Sequence, residues 1–199
     1  MDYQPGTRAL GNLALATLSL IMLLGNPLMG QQPETTFSRL LSAEMLDTFQ
    51  RVCRYVEKNP AAEDADSACQ WIFRTALDYH FETQAVPLAT QYLERPGPVK
   101  SVSKLAQQVV ILGQARQGNM KAAQEGFQQY LKEQPAYTAE QNIDFVLQFA
   151  GEAQLQKQYP VAAEIYSSTA RRFTLNPQIR ALCANKLAKL KLINELAPP

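Results

Sequence analysis

The chain has 199 residues, of which 46% are hydrophobic and 19% are charged, and its formal net charge at pH 7 is +1. This length is enough for one sizeable domain or two small ones, and the composition is typical of a globular protein. The near-neutral charge excludes a whole-molecule field that would attract nucleic acid, so we expect no nucleic-acid partner.

The first thirty residues carry the pattern of a secretory signal peptide. Residues 13–24 form a run of apolar and small side chains, Arg8 precedes this run, and the helix-breaking residues 25–27 follow it. At about 12 residues the run is shorter than the roughly 20 that a membrane span needs. We expect residues 1–30 to be removed during bacterial-type export to the periplasm or the extracellular space, with cleavage after Gly30. An uncleaved N-terminal membrane anchor is the alternative.

After this segment, apolar residues recur at helical spacing almost to the end of the chain, and no longer stretch alternates as a strand would. Turn signals such as Asn59-Pro60, Gly118-Asn119 and Asn176-Pro177 separate the periodic segments. The pattern predicts an all-α protein with helices over 37–57, 62–80, 84–94, 99–116, 119–133, 138–157, 159–174 and 177–195.

One apolar ladder recurs three times, with a small or medium apolar residue followed by an aromatic residue four positions later. It runs through Ala85, Leu88 and Tyr92; through Met120, Ala123, Phe127 and Tyr130; and through Tyr159, Ala162, Tyr166 and Thr169. Each copy follows another amphipathic helix. A single helix hairpin cannot hide both of its apolar faces, so a recurring hairpin favours stacking.

This unit resembles a tetratricopeptide repeat, which pairs two antiparallel helices over about 34 residues. The residues that match that pattern are Ile72, Ala76 and Tyr79; Gly118, Asn119, Ala123, Phe127 and Pro135; and Val146, Phe149, Ala150, Tyr159, Ala162 and Tyr166. The Leu112-Gly113 pair departs from it by two positions, and the period is longer than in the family.

The resemblance implies that antiparallel pairs stack as a right-handed superhelix within one helical-repeat domain over residues 31–196. The implied pairs are 62–95, 99–135 and 138–175, with capping helices 37–57 and 177–195 and a tail at 197–199. A non-repetitive helical bundle, whose ladders are simply its core, remains the alternative.

The resemblance also implies a function, which is to bind a protein or peptide on a surface built by the first helix of each pair. The candidate partner-binding residues are polar positions of those helices that lie off the apolar stripes. They are Gln70, Arg74, Gln107, Gln108, Gln114, Asn142, Gln148 and Gln154. Glutamine dominates this set, and its amide both donates and accepts hydrogen bonds without a preference for charge.

The three cysteines are Cys53, Cys69 and Cys183. Cys53 and Cys69 lie equally far from a turn centred near Ala61, so an antiparallel hairpin brings them to the same height. In the oxidising compartment that export implies, we predict a disulfide between Cys53 and Cys69. Two buried free thiols are the alternative for this pair, and Cys183 is expected to be a buried free thiol.

The sequence contains no familiar catalytic or nucleotide-binding motif and only one histidine, His80. We therefore expect no enzyme activity, no cofactor and no metal site. Trp71, the sole tryptophan, fits two interpretations, which are packing within a helix pair and anchoring a partner in a groove.

The final segment, residues 189–199, resembles the lead-in to a thioredoxin-like domain in exported bacterial proteins. This similarity implies a second hypothesis, in which the chain is the N-terminal docking or dimerisation module of an exported thiol-disulfide oxidoreductase. A proline-terminated tail is the other interpretation.

Overall fold

The computed structural model describes residues 36–133, 142–172 and 176–196, and within them the fold is all-α, with eight helices and no strand. The predicted signal peptide and the tail at 197–199 lie outside these residues. The helices are α1 (Thr36–Lys58), α2 (Ala65–Tyr79), α3 (Glu82–Glu94), α4 (Lys100–Arg116), α5 (Met120–Glu133), α6 (Ile143–Leu155), α7 (Tyr159–Arg172) and α8 (Pro177–Leu196).

All eight predicted helices are confirmed, and the main differences are at their starts. α2 begins at Ala65 rather than at residue 62, because the segment before it forms tight turns. Ala62 donates its N–H to the Asn59 carbonyl at 3.1 Å, and Ala65 donates to the Ala62 carbonyl at 3.0 Å.

The contacts divide the chain into two units, with the boundary between Ala43 and Glu44. Within the described residues, the first unit contains only the beginning of α1. The second unit contains the rest of α1 and the other seven helices, together with both apolar clusters of the fold.

The helices of the second unit pack mainly on their neighbours in the chain. α2 packs on α3, α3 on α4, α4 on α5, α6 on α7 and α7 on α8, and the contact between α3 and α4 is the most extensive of these. The first helices of successive pairs also touch one another, since α2 packs against α4 and α4 against α6. This arrangement is compatible with a helical repeat fold.

The turn between the two helices of a pair has the same backbone geometry in all three pairs. A residue one or two positions after the first helix adopts a left-handed conformation, with φ of 64° at His80, 82° at Gly118 and 58° at Lys157. The next residue then donates its N–H to a carbonyl five positions back. These bonds measure 2.9 Å from Phe81 to Ala76, 2.9 Å from Asn119 to Gln114 and 2.8 Å from Gln158 to Ala153. This is the hydrogen bond of a Schellman C-cap, and in each pair the second helix begins immediately afterwards.

Among the described residues, the core consists of two apolar clusters. One lies among α1 to α4 and contains Phe49, Val56, Ile72, Phe73 and Tyr92, among others. The other extends from α4 to α8, where Phe127 stacks on Phe149 with ring centroids 4.3 Å apart. Leu77 packs against both clusters.

α3 and α4 approach each other closely at Gly113 of α4. A Cβ built at this glycine would lie 2.2 Å from Cγ2 of Val86 and 3.2 Å from the carbonyl oxygen of Glu82, both in α3. Only a residue without a side chain fits this position, so Gly113 fixes how closely the second pair packs on the first.

Candidate functional site

The predicted partner-binding residues fall into two groups. Gln70 and Arg74 are exposed on α2, and partly exposed positions are occupied by Gln107, Gln114, Gln148 and Gln154. Gln108 and Asn142 are instead 6% and 2% exposed. Neither side chain reaches the surface, whereas the sequence analysis expected both residues to lie on it.

Gln108 and Asn142 belong to a buried chain of hydrogen bonds centred on Tyr130. The Gln108 amide donates to the Tyr130 hydroxyl at 2.7 Å, and that hydroxyl donates to Oδ1 of Asn142 at 3.1 Å. Burial raises the pKa of the Tyr130 phenol to about 12, and the Gln108 hydrogen bond opposes this shift. This chain of hydrogen bonds links α4, α5 and the start of α6. It gives each of these buried polar groups a partner in a place from which water is excluded.

One exposed surface is on α2, and we call Gln70, Trp71, Arg74 and Asp78 the outer face of this helix. At 100° per residue these four positions lie within one arc of the helix, opposite Ile72 and Ala76 in the core. Trp71 is 37% exposed, so it is not enclosed within a helix pair. Tyr79, which the repeat pattern assigned to the core, is 42% exposed at the helix end and stacks on Phe81.

The second polar feature is a cluster around Arg116, the last residue of α4. Its Nη1 donates to Oε2 of Glu82, its Nε donates to Oε1 of Glu152 at 2.8 Å, and its Nη2 lies 2.9 Å from Nδ1 of His80. Glu82 is fully buried. These bonds join the turn after α2 and the start of α3 to α4 and α6, so one guanidinium connects three helix pairs.

The contact with Arg116 fixes the tautomer of His80. A guanidinium can only donate, so Nδ1 of His80 accepts, and the ring proton of the neutral imidazole is on Nε2. Nδ1 also lies 3.9 Å from Oε1 of Glu82. That oxygen is buried and has no hydrogen-bond partner among the described residues.

A third polar cluster joins the start of α2 to the end of α3. Oδ1 of Asp66 accepts from the Tyr92 hydroxyl at 2.8 Å and from Nη2 of Arg95, whose guanidinium lies 3.8 Å above the Tyr92 ring. Burial opposes ionisation of Asp66, but the two hydrogen bonds and the Arg95 charge hold its pKa below the usual value. Burial, followed by the bond to Asp66, raises the pKa of Tyr92 to about 12.

The predicted disulfide residues lie on neighbouring helices. Cys53 is half-buried on α1 and Cys69 is buried on α2, and both are present as free thiols, as is Cys183 on α8. Cys69 belongs to the first apolar cluster and Cys53 packs against that cluster, whereas Cys183 belongs to the second.

Within the described ranges, no three histidine, cysteine, aspartate or glutamate side chains are grouped as metal ligands. None of the described helices combines the length and the apolar character needed to cross a membrane. The polar side chains of the Tyr130, Arg116 and Asp66 clusters are mostly hydrogen-bonded to one another. These clusters therefore hold neighbouring helices together. The side chains of the outer face of α2, by contrast, are exposed.

No protein-family model, curated protein or solved structure matches the chain. The fold class therefore rests on the helices and their contacts.

Proposed function

We propose that this chain is a tetratricopeptide-like helical-repeat protein, stacked as a right-handed superhelix, that binds a peptide or protein segment through its first helices. The outer face of α2 anchors the partner. The observation that carries the proposal is the exposure of Trp71 beside Arg74 and Gln70 on this helix.

The repeated turn supports the repeat architecture. Three helix pairs share a left-handed residue followed by the same backbone hydrogen bond, and the first helices of successive pairs pack side by side. In stacked repeats each unit contacts mainly its neighbours, and the row of first helices forms an extended binding surface.

The residue types on α2 support recognition of a protein or peptide. Tryptophan, tyrosine and arginine are enriched among the residues that contribute most to binding free energy at protein interfaces. Trp71 and Arg74 lie one helical turn apart, and Tyr79 lies at the end of the same helix. A partner with an apolar anchor for Trp71, flanked by polar groups that hydrogen-bond Gln70, fits this surface.

The test is selection of peptides from a displayed random library, with binding followed by the fluorescence of Trp71, the only tryptophan. We expect Trp71→Ala, assayed with a labelled peptide, to weaken the affinity of selected peptides by about tenfold or more. The matched control is Leu192→Ala, which removes an exposed apolar side chain from α8 and is expected to leave the affinity unchanged. Equal binding by wild type and Trp71→Ala would contradict the assignment of this face.

The proposal includes export, which the apolar run at 13–24 and its flanking residues support. The test is mass spectrometry of the N-terminal peptide of protein secreted by a bacterial host. A start near Gln31 is expected, whereas a start at Met1 would contradict cleavage.

A further inference from the structure

His80, the sole histidine of the chain, lies in the turn between α2 and α3. Its backbone is held in place, because it caps α2 in a left-handed conformation and its N–H donates to the Ala76 carbonyl. Its side chain is 62% exposed, so the ring can exchange protons with solvent. Histidine is the side chain that ordinarily changes charge between about pH 5 and pH 8. His80 therefore combines a fixed backbone with a ring that is open to protonation.

Nδ1 of this ring faces one donor and one acceptor. Nη2 of Arg116 lies 2.9 Å from Nδ1, and Oε1 of Glu82 lies 3.9 Å from the same atom. Only a neutral ring can bond Arg116, because a guanidinium donates and cannot accept. Only a ring with a proton on Nδ1 can bond Glu82, because an ionised carboxylate accepts and cannot donate. The protonation state of His80 therefore decides which of the two neighbours it can bond.

Oε1 of Glu82 is an acceptor that lacks a donor. The Glu82 side chain is fully buried, and its Oε2 accepts from Nη1 of Arg116, but Oε1 has no hydrogen-bond partner among the described residues. A buried polar atom gains more from a partner than an exposed one does, because water does not replace the missing bond. The present separation from Nδ1 exceeds a normal hydrogen bond by about 1 Å, which a small reorientation of the ring can close.

The charges that reach His80, directly or through one neighbour, come from four helices. They are Asp78 and Arg74 of α2, Glu82 of α3, Arg116 of α4 and Glu152 of α6. Burial raises the pKa of Asp78, and the charges of Arg74 and His80 oppose this shift. α1 approaches the same turn through an aromatic contact, in which Phe49 packs on Phe81. Three of the five charged groups are anionic when ionised and two are cationic, so a proton on His80 neutralises the net charge of the group.

We propose that His80 is a pH-dependent switch that exchanges one hydrogen-bond partner for another. In its neutral form, Nδ1 accepts from Nη2 of Arg116. When the pH falls, Nδ1 takes up one proton from solvent, the ring turns away from the guanidinium, and Nδ1–H donates to Oε1 of Glu82. A hydrogen bond between two charged groups compensates for the bond that is lost. Arg116 keeps its bonds to Oε2 of Glu82 and to Oε1 of Glu152.

The exchange changes which helices the turn is tied to. The bond between His80 and Arg116 connects the turn to the end of α4, which belongs to the next helix pair. The bond between His80 and Glu82 connects the turn only to the start of α3, within the same pair. Acidification therefore removes one polar contact between the first two helix pairs and completes the hydrogen bonding of a buried carboxylate.

The experiment is NMR spectroscopy of the full chain, with isotope label in the histidine, arginine and glutamate side chains, titrated from about pH 8 to about pH 5. The single histidine gives one set of ring signals. We expect nuclear Overhauser contacts from the ring to Arg116 at high pH and to Glu82 at low pH. An Nδ1–H signal that exchanges slowly with solvent should appear at low pH.

Three variants separate the switch from a general effect of charge. Glu82→Gln removes the ionised acceptor and should shift the midpoint of the His80 titration to lower pH by about one unit or more. Asp78→Asn removes an exposed charge two residues from the ring and should give a smaller shift, because solvent screens it. His80→Asn keeps an acceptor and tolerates the left-handed backbone, but it does not titrate. It should abolish the pH dependence of the Arg116 and Glu82 signals.

Four outcomes would overturn the proposal. They are a ring that keeps its contact with Arg116 at low pH, a protonated ring that contacts neither neighbour, equal shifts in Asp78→Asn and Glu82→Gln, and Arg116 or Glu82 signals that still titrate in His80→Asn. The contacts of the wild-type ring decide the matter even where Glu82→Gln folds poorly. No peptide is present in this experiment, so the switch and the proposed function can fail independently.

Discussion

At the scale of single residues, two helical glycines with different surroundings make a matched pair. Gly113→Ala forces a methyl group against Val86 and the α3 backbone, whereas Gly151→Ala in α6 meets nothing within 4 Å. We expect Gly113→Ala to lower the free energy of unfolding by about 1–3 kcal/mol because of overpacking. Gly151→Ala should raise it by up to about 1 kcal/mol through helix propensity. Urea denaturation measures both, and equal stability of the two variants would contradict the close packing of α3 on α4.

The Arg116 cluster leads to a second prediction. Arg116→Met leaves the carboxylate of Glu82 buried without its cation, and we expect a loss of about 3–5 kcal/mol in unfolding free energy. Adding Glu82→Gln removes that uncompensated charge and should recover part of the loss. The control is Arg51→Met, which breaks an exposed pair with Asp47 and should change stability by about 0.5 kcal/mol or less. If Arg116→Met lowered the unfolding free energy by no more than Arg51→Met does, the ion pair between Arg116 and Glu82 would not contribute to stability as proposed.

Residue burial was predictable where helical spacing decides it, and less so at helix ends and at polar positions. Gln108 lies four residues before Leu112 and seven before Ala115, both of them core residues, so its position on an apolar stripe was a readable signal. Tyr79 continues the stripe of Ile72 and Ala76 but lies at the helix end, where the cluster no longer covers it. The Arg116 cluster had no local signal, because its partners come from separate helices.

At the scale of structural elements, adjacent glutamines of α4 give the third prediction. Gln108→Ala leaves the buried Tyr130 hydroxyl without its donor and should cost about 1–3 kcal/mol. Gln107 bonds the exposed Glu133 at 3.2 Å, so Gln107→Ala should change stability by no more than about 0.5 kcal/mol. Thermal unfolding of the two variants is the measurement. A similar change in both would contradict the buried hydrogen-bond chain.

The repeated turn gives the fourth prediction. Lys157 has a positive φ that is unfavourable for a residue with a Cβ, whereas Gly118 adopts the equivalent conformation without this cost. We expect Lys157→Gly to raise the unfolding free energy by about 0.5–1 kcal/mol and Gly118→Ala to lower it by about 1 kcal/mol. Opposite signs in a denaturation experiment would support equivalent turns, and the same sign would contradict them.

The helices themselves were predictable because proline, glycine and asparagine mark their ends and apolar spacing marks their buried sides. The Gly118 turn was readable from its glycine, but the equivalent turns at His80 and Lys157 lack that residue. Nothing in the residue type at these two positions indicates a left-handed conformation. A search for repeated glycines therefore finds one of three equivalent turns.

At the scale of the whole molecule, stacked pairs and a bundle around a single core differ in the order of contacts that they predict. The first cluster involves α1 to α4, the second involves α4 to α8, and α4 contributes to both. In a linear stack, stability is approximately a sum of unit and neighbour terms, so damage at one end is felt most by adjacent units. In a bundle around a single cooperative core, the same damage would instead destabilise all helices.

Leu190 in α8 tests which description holds. It is 4% exposed in the second cluster, and Leu190→Ala should cost about 2–5 kcal/mol, whereas exposed Leu192→Ala should cost about 0.5 kcal/mol or less. Native-state hydrogen exchange then shows which helices lose stability in Leu190→Ala. In a stack, amide protection falls in α6 to α8 and is largely kept in α2 and α3, because local opening involves neighbouring units first. Equal loss of protection in all helices would contradict a linear stack and favour one cooperative bundle.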